Sequence, residues 1–227
     1  MPELPEVSTT VQGLKDTVTS LFIKDVWSDY FVNTKSKTLT NIKNEKFFNN
    51  FKKTIIGKKI IDTERRGKNI LIHLSDNITV LIHMKMTGHL LYGAYIKEKN
   101  VWKSNQEYLK DSFNQFIHLI FTLSNGKHIA FSDMRKFAKV TLFETPTKDS
   151  HIDLKNLGPE PLSDLTVEIL ASQLSKKPRG LIKSVLMDQT VVAGIGNIYS
   201  DEILWMSGIH PERKVSSLTK NEIKKNH

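Results

Sequence analysis

Five runs rich in β-branched and aromatic residues lie between Ile70 and Glu144. They are ILIHL (70–74), ITVLIHMKM (78–86), FIHLIFTL (116–123), HIAFSD (128–133) and AKVTLFE (138–144). Two of the gaps between them are short turn signals, SDN (75–77) and SNG (124–126). An Asn-Gly pair between apolar runs is a strong local hairpin signal, because both residues tolerate positive φ. Closely spaced hairpins with little helix between them predict an antiparallel sandwich or barrel, covering about Phe22 to Glu144. Residues 92–115 are polar and Lys-rich and read as a long excursion between strands.

The two ends read differently. Val7, Val11, Leu14, Val18 and Leu21 step by four, three, four and three, which is one stripe of a helix. Pro5 sits where a first turn tolerates it. The first helix therefore starts almost at once and pins the N-terminus against a core. Residues 145–164 (TPTKDSHIDLKNLGPEPLSD) have linker composition. Beyond them Ser163 and Asp164 are positioned to cap LTVEILASQLSKK, and further helices are expected over 180–188 and 197–208. Thr219 and Glu222 have the spacing of a capping box opening a fourth helix. The expected class is α+β: residues 1–144 a helix plus β-sandwich, 145–163 a linker, 164–227 a helical domain stopping inside an element.

Composition narrows the partners. Lys plus Arg number 33 against 24 Asp plus Glu, a formal charge of +9. That suits a polyanion, with nucleic acid first among them; a Lys-rich proteome is the bland alternative. With no cysteine, disulfides, iron–sulfur clusters and thiolate zinc sites are excluded for these residues. No apolar run approaches the roughly 18 residues of a membrane span, and the N-terminus lacks a basic, apolar signal sequence, so a cytosolic chain is expected.

The opening MPELPEV places Pro2 beside Glu3 and Glu6. Removal of the initiator would leave a secondary amine, and α-amino groups titrate at about 7.7–8. Such an amine attacking a sugar C1′ or an aldehyde gives an iminium, and a neighbouring carboxyl can protonate the group that leaves. The alternative is that both prolines only stiffen a helix entry. Tautomerases also use an N-terminal proline, but as short chains without a basic helical half. Arg65, Arg66 and Lys68 precede a strand and suit phosphate contact, or a solvated turn. Arg135 and Phe137 are two apart on an expected hairpin and should point the same way. An apolar wedge beside an arginine can fill a vacated base position, or the pair can belong to a core and its rim. GIGNIYSDE (194–202) puts Asn197 and backbone N–H groups at a helix start, a weak anion-site signal.

MPELPEV, RRGK before a strand, HMKMTG, DMRKF, LGPEPL and LMDQ-x-VVAGIGNIYSDEIL occur in the same order as in the bacterial formamidopyrimidine-DNA glycosylase (Fpg, or MutM) family, which the chain resembles from Met1 to about Leu218. Leu4 resembles this family, whereas the related endonuclease VIII group usually has glycine there. The resemblance implies a helix with a β-sandwich, then a helix–two-turn–helix domain. It implies a monomeric, bacterial, cytoplasmic, nucleoid-associated base-excision repair enzyme acting on double-stranded DNA with oxidised bases or abasic sites. It would excise 8-oxoguanine and formamidopyrimidines and then cut the strand by β,δ-elimination. Pro2 would be the nucleophile, Glu3 the general acid and Glu6 its support, with Lys68 at the DNA phosphates. Met86, Arg135 and Phe137 would enter the duplex, Arg135 facing the opposite cytosine. Asn197 would bind phosphate, and Lys183 would lie near the damaged nucleotide. Met134, Lys136 and Ala138 depart from the family's usual Pro, Arg and Gly. The family's zinc finger, its one structural metal, has no counterpart here, so no cofactor is expected and a truncated or reduced form is implied. Two alternatives stay open: a non-catalytic damaged-DNA-binding fragment or paralogue, and an endonuclease VIII-like enzyme for oxidised pyrimidines.

Overall fold

A computed structural model describes residues 1–32, 40–99 and 101–225. The chain forms two compact units: Met1–Arg65 with Asn69–Lys148, and Arg66–Lys68 with Asp149–His227. The last two residues of the expected helical domain fall outside the described set.

The first unit opens with α1 (Leu4–Val18), whose buried residues are Leu4, Val7, Val11, Leu14 and Val18. The stripe read from the sequence is thus the packed face, except that Leu21 lies beyond the helix. Fully burying a Val or Leu contributes about 1.5–3 kcal/mol, so this face holds the chain's first residues in place. Thr63 reinforces it by donating from Oγ1 to the Val11 carbonyl at 3.1 Å.

Two four-stranded sheets follow. The strands are β1 (Ile23–Ser28), β2 (Ile60–Arg66), β3 (Asn69–Leu74), β4 (Ile78–His83) and β5 (Gly88–Gly93), a small hairpin of β6 (Ile96–Glu98) and β7 (Val101–Lys103), then β8 (Ile117–Leu123), β9 (His128–Asp133) and β10 (Lys139–Glu144). One sheet runs β1-β8-β9-β5 and the other β10-β4-β3-β2. Their inner faces share one core with α1, which selects the sandwich over the barrel. The turn signals act as read. Asp76 and Asn77 take φ of 61° and 56°, and Gly126 takes 78°. The first turn pairs Leu74 with Ile78, and Leu123 N bonds the Lys127 carbonyl at 2.9 Å across the second.

Three local expectations need correction. The 22–144 stretch was expected to hold little helix, but α2 (Glu45–Ile55) lies within it. Asn44 caps it by accepting from Phe47 N, and Phe48, Phe51 and Ile55 bury one face. The run 78–86 is not one strand. β4 ends at His83, and a turn through Met84–Thr87 follows, with Lys85 at φ 58°. The polar excursion 92–115 contains the β6–β7 hairpin, held by Trp102 packing on Trp27 at 5.9 Å between ring centroids.

The second unit carries α3 (Val167–Ser175), α4 (Ile182–Leu186), α5 (Asn197–Ser207) and α6 (Lys220–Lys225) around its own core of Leu174, Ile182, Leu186, Val192 and Leu204. The cap of α3 is Thr166, which accepts from Ile169 N, and not Ser163 or Asp164. The Asp164 carboxylate is already engaged by Ser163 Oγ and Glu160 N. Gly208 ends α5 at φ 69°, a left-handed position that glycine takes without steric cost. The expected capping box is present: Thr219 N donates to Glu222 Oε2 at 2.8 Å and Glu222 N to Thr219 Oγ1 at 3.3 Å. Residues 145–163, expected as a linker, are folded into the units, with Leu154 and Glu160 buried.

Candidate functional site

The first turn of α1 fixes the acidic pair. Glu3 is the N-cap, and it and Glu6 form a reciprocal capping box. Glu3 N donates to Glu6 Oε2 at 2.9 Å. This gives an acidic residue at each end of a cap that usually begins with Ser or Thr. Carboxylates here face the positive end of the helix dipole. Glu3 is only 2% exposed, while Met1 is exposed. Pro2, half-buried between them, extends from this anchored turn.

The three wedge candidates sit on two turns of the same unit. Met86 belongs to the turn joining β4 and β5, Arg135 and Phe137 to the turn joining β9 and β10. Met86 is 47% and Phe137 48% exposed, so both side chains project from the turns and not into the core. Arg135 and Phe137 do point the same way: the guanidinium lies 4.3 Å from the Phe137 ring centroid. Such a cation–π contact is worth about 0.5–1 kcal/mol at an exposed site and holds the two as one projection.

What supports these turns is a residue that the sequence reading passed over. Asp133, fully buried, ends β9. Its Oδ1 accepts from Thr87 Oγ1 at 2.6 Å and from Arg135 N at 3.3 Å. Its Oδ2 accepts from Ala138 N at 2.8 Å and from Tyr30 Oη at 3.1 Å. Burial first, and the Asp133 charge second, push the Tyr30 hydroxyl far above its ordinary pKa, so it remains a donor. Lys136, at φ 51°, reaches Asp29 through Nζ at 3.3 Å. Asp29 also pairs with His118 Nδ1 at 2.8 Å. Burial raises the Asp29 pKa, but the bond and charge of His118, with Lys136, outweigh it and leave the carboxyl below its usual value. Gly88 completes the Met86 turn, since a Cβ there would lie 2.4 Å from the Met84 carbonyl oxygen.

The basic candidates of the second unit are more constrained than expected. Arg66 does not present a phosphate contact. Its guanidinium donates to Glu160 Oε1 at 2.8 Å and to the Leu157 and Gly158 carbonyls at 3.1 and 2.9 Å. Gly67 N donates to the same Glu160 oxygen at 2.6 Å. RRGK and LGPEPL therefore meet in one buried knot. Lys68 is buried at 5% exposure, not in an open turn. Lys183 pairs with Asp201 at 2.7 Å, joining α4 to α5. Asn197 begins α5 and is exposed. The loop before it is stitched by Gln189, whose amide donates to the Met187 and Ile195 carbonyls and accepts from Gly194 N at 2.9 Å. Sequence reading named the GIGN glycines but missed this side chain, whose only signal was its place in LMDQ.

Among the described residues no group of three His, Asp or Glu side chains is placed to hold a metal. The four-cysteine finger of the resembled family does not fit these residues, which include no cysteine. No helix among the described residues is long and apolar enough to cross a membrane.

The comparisons bear on the whole chain. Residues 1–140 match the formamidopyrimidine-DNA glycosylase N-terminal domain, and residues 157–227 match that enzyme's helix–two-turn–helix (H2TH) domain. A formamidopyrimidine-DNA glycosylase of Pelotomaculum thermopropionicum is 38% identical over 224 residues, covering 98% of this chain and 72% of the relative. Among solved structures, Lactococcus lactis Fpg bound to DNA containing an abasic site is 27% identical, with a TM-score of 0.79, covering 99% of this chain and 73% of that one. A MutM in complex with DNA containing carbocyclic 8-oxo-G is 29% identical at a TM-score of 0.81, covering 99% and 76%. The anchored acidic first turn, the exposed Arg135–Phe137 pair and the H2TH unit thus occur in a chain that belongs to the formamidopyrimidine-DNA glycosylase family.

Proposed function

We propose that this protein is a bifunctional DNA glycosylase and abasic-site lyase of base-excision repair, acting on oxidised purines in double-stranded DNA. The observation that carries the reading is the fixed first turn: Glu3 and Glu6 hold each other while Pro2 extends from them towards an exposed Met1. An exposed initiator is open to removal, and its loss turns Pro2 from an amide into a secondary amine. The relatives' shared name, and the DNA lesions bound by their solved counterparts, support a damaged purine as the substrate.

The Pro2 nitrogen attacks C1′ of the damaged nucleotide. The C1′–N9 bond breaks, the base leaves with the electron pair, and the proton shed by the Pro2 nitrogen neutralises it. Glu3 protonates the ring oxygen as the sugar opens, giving an iminium between C1′ and Pro2. The iminium acidifies the C2′ proton. Its loss expels the 3′ phosphate, and a second elimination expels the 5′ phosphate. One amine thus serves both activities, with the iminium as electron sink. The reacting base must leave the stack, and Met86, Arg135 and Phe137 fill the space it vacates. Lys68, Lys183 and Asn197 serve the DNA backbone in this reading. Lys183 does so by exchanging Asp201 for phosphate, an exchange that an exposed ion pair permits at little cost. The chemistry requires no cofactor, and the enzyme works as a monomer on nucleoid DNA.

The test is borohydride trapping with a duplex carrying 8-oxoguanine opposite cytosine. A covalent adduct is expected. It should be lost in Pro2→Gly, whereas Glu3→Gln should slow base release yet keep part of the cleavage of a preformed abasic site. No adduct with the mature wild-type protein overturns the reading in favour of a DNA-binding module without chemistry.

A further inference from the structure

We propose that Asp133 and Thr87 are positioning residues that lock the two wedge turns into one preorganised unit. The proposal rests on the wedge reading above and adds what holds the wedge. The Met86 turn and the Arg135–Phe137 turn are separated by more than forty residues of sequence, and neither is braced by strand pairing at its tip. Strand pairs join their bases, Gly88 with Asp133 and His83 with Lys139, and beyond these the support they share is one buried carboxylate. Thr87 Oγ1, directly after Met86, donates to Asp133 and also accepts from Arg135 N at 3.3 Å, so a single hydroxyl lies between the turns. Ala138 N, directly after Phe137, is held by the other Asp133 oxygen.

Four donors converge on Asp133: Thr87 Oγ1, Arg135 N, Ala138 N and Tyr30 Oη. An asparagine has the same shape but would turn its NH2 toward two of these donors. Charge is also close by. Burial lowers the Lys43 pKa and Lys85 adds to this, while Asp133 opposes them. The site therefore suits an acceptor-only side chain. Entering a stacked duplex with exposed apolar side chains is efficient when their geometry is set beforehand, since ordering them on binding would cost affinity.

The experiment uses a duplex with a tetrahydrofuran abasic analogue and an adjacent 2-aminopurine, whose fluorescence reports unstacking without requiring turnover. At saturating protein, Thr87→Val should lower the ratio of inserted to uninserted complexes about fivefold, the shift that losing one net hydrogen bond makes in an equilibrium. Thr87→Ser should restore the wild-type amplitude. Asp133→Asn should lose at least as much as Thr87→Val, with circular dichroism reporting whether it folds. Borohydride trapping on single-stranded abasic DNA, which needs no wedge, should be unchanged in Thr87→Val. If Thr87→Val gives the wild-type amplitude while Phe137→Ala does not, the proposal is overturned and the wedge reading survives. If Thr87→Ser falls as far as Thr87→Val, the hydroxyl is not the link and the proposal again fails. If Phe137→Ala also matches wild type, the wedge reading itself fails and takes this proposal with it.

Discussion

The sandwich unit and the helical unit handle their polar residues in opposite ways. In the first, a fully buried carboxylate, Asp133, supports side chains that stay exposed, Arg135 and Phe137 with Met86 on the neighbouring turn. In the second, the carboxylate Glu160 binds the basic residue itself, taking up Arg66 together with Gly67 N. The same chemistry, one buried acid at a turn, mounts an exposed projection in one place and ties a loop down in the other. The difference teaches how to read a basic residue. Arg135 stacks on an exposed ring, whereas the Arg66 guanidinium is consumed by Glu160 and two carbonyls. Only the first has a shape suited to entering something outside the protein.

The comparison can be broken or sharpened by substitution, with urea unfolding as the measurement. Asp133→Ala should have the largest effect, a loss of about 3–5 kcal/mol, because several buried donors lose their acceptor at once. Glu160→Ala should cost about 2–3 kcal/mol, since Arg66 keeps two carbonyl partners. If Glu160→Ala costs more than Asp133→Ala, the two acids have been ranked wrongly.

A smaller effect is expected at Glu64, which accepts from His73 and Lys148 within the sandwich unit. The His73 bond first, with Lys148 outweighing burial, holds its pKa down at about 2. A depressed folded-state pKa stabilises above the unfolded value, near 4.5, and that contribution is lost as pH falls towards 2. Discounted for its partial exposure, the effect at neutral pH is about 1 kcal/mol. Glu64→Gln should therefore destabilise at pH 7 and converge with wild type by about pH 2. The smallest changes should be at Phe137→Ala and Lys183→Ala, each within about 0.5 kcal/mol of wild type because the side chains are exposed or paired in solvent. A loss above 2 kcal/mol in Phe137→Ala would make it a core residue and remove the contrast between the units.

Much of the fold was legible because its signals are local. The α1 stripe, the SDN and SNG turns and the Thr219–Glu222 box each depend on residues a few positions apart. Helix α2 was hidden because its packed face is built from Phe48, Phe51 and Ile55, residues that also favour strands, around two asparagines with poor helix propensity. Strand β1 pairs only with the distant β8, and β2, although it pairs with the adjacent β3, shares its mixed exposure, so no clean alternation marks either. In the site, Glu3, Arg135 and Phe137 were readable because short motifs carry them. Asp133 and Glu160 were not, since a buried acid is known only by the donors that converge on it, and these come from up to 103 residues away. Arg66 read as an open base for the same reason, since its partner Glu160 lies 94 residues away.

The central claim is that the reacting group is the nitrogen of residue 2, and locating the trapped adduct tests it most directly. Protein reduced with borohydride on abasic DNA would be digested with trypsin and the DNA-linked peptide sequenced by mass spectrometry. The account predicts that the label lies on Pro2, in the peptide ending at Lys15, with Met1 gone. An adduct on a lysine side chain, or a trapped chain that still carries Met1, would contradict it.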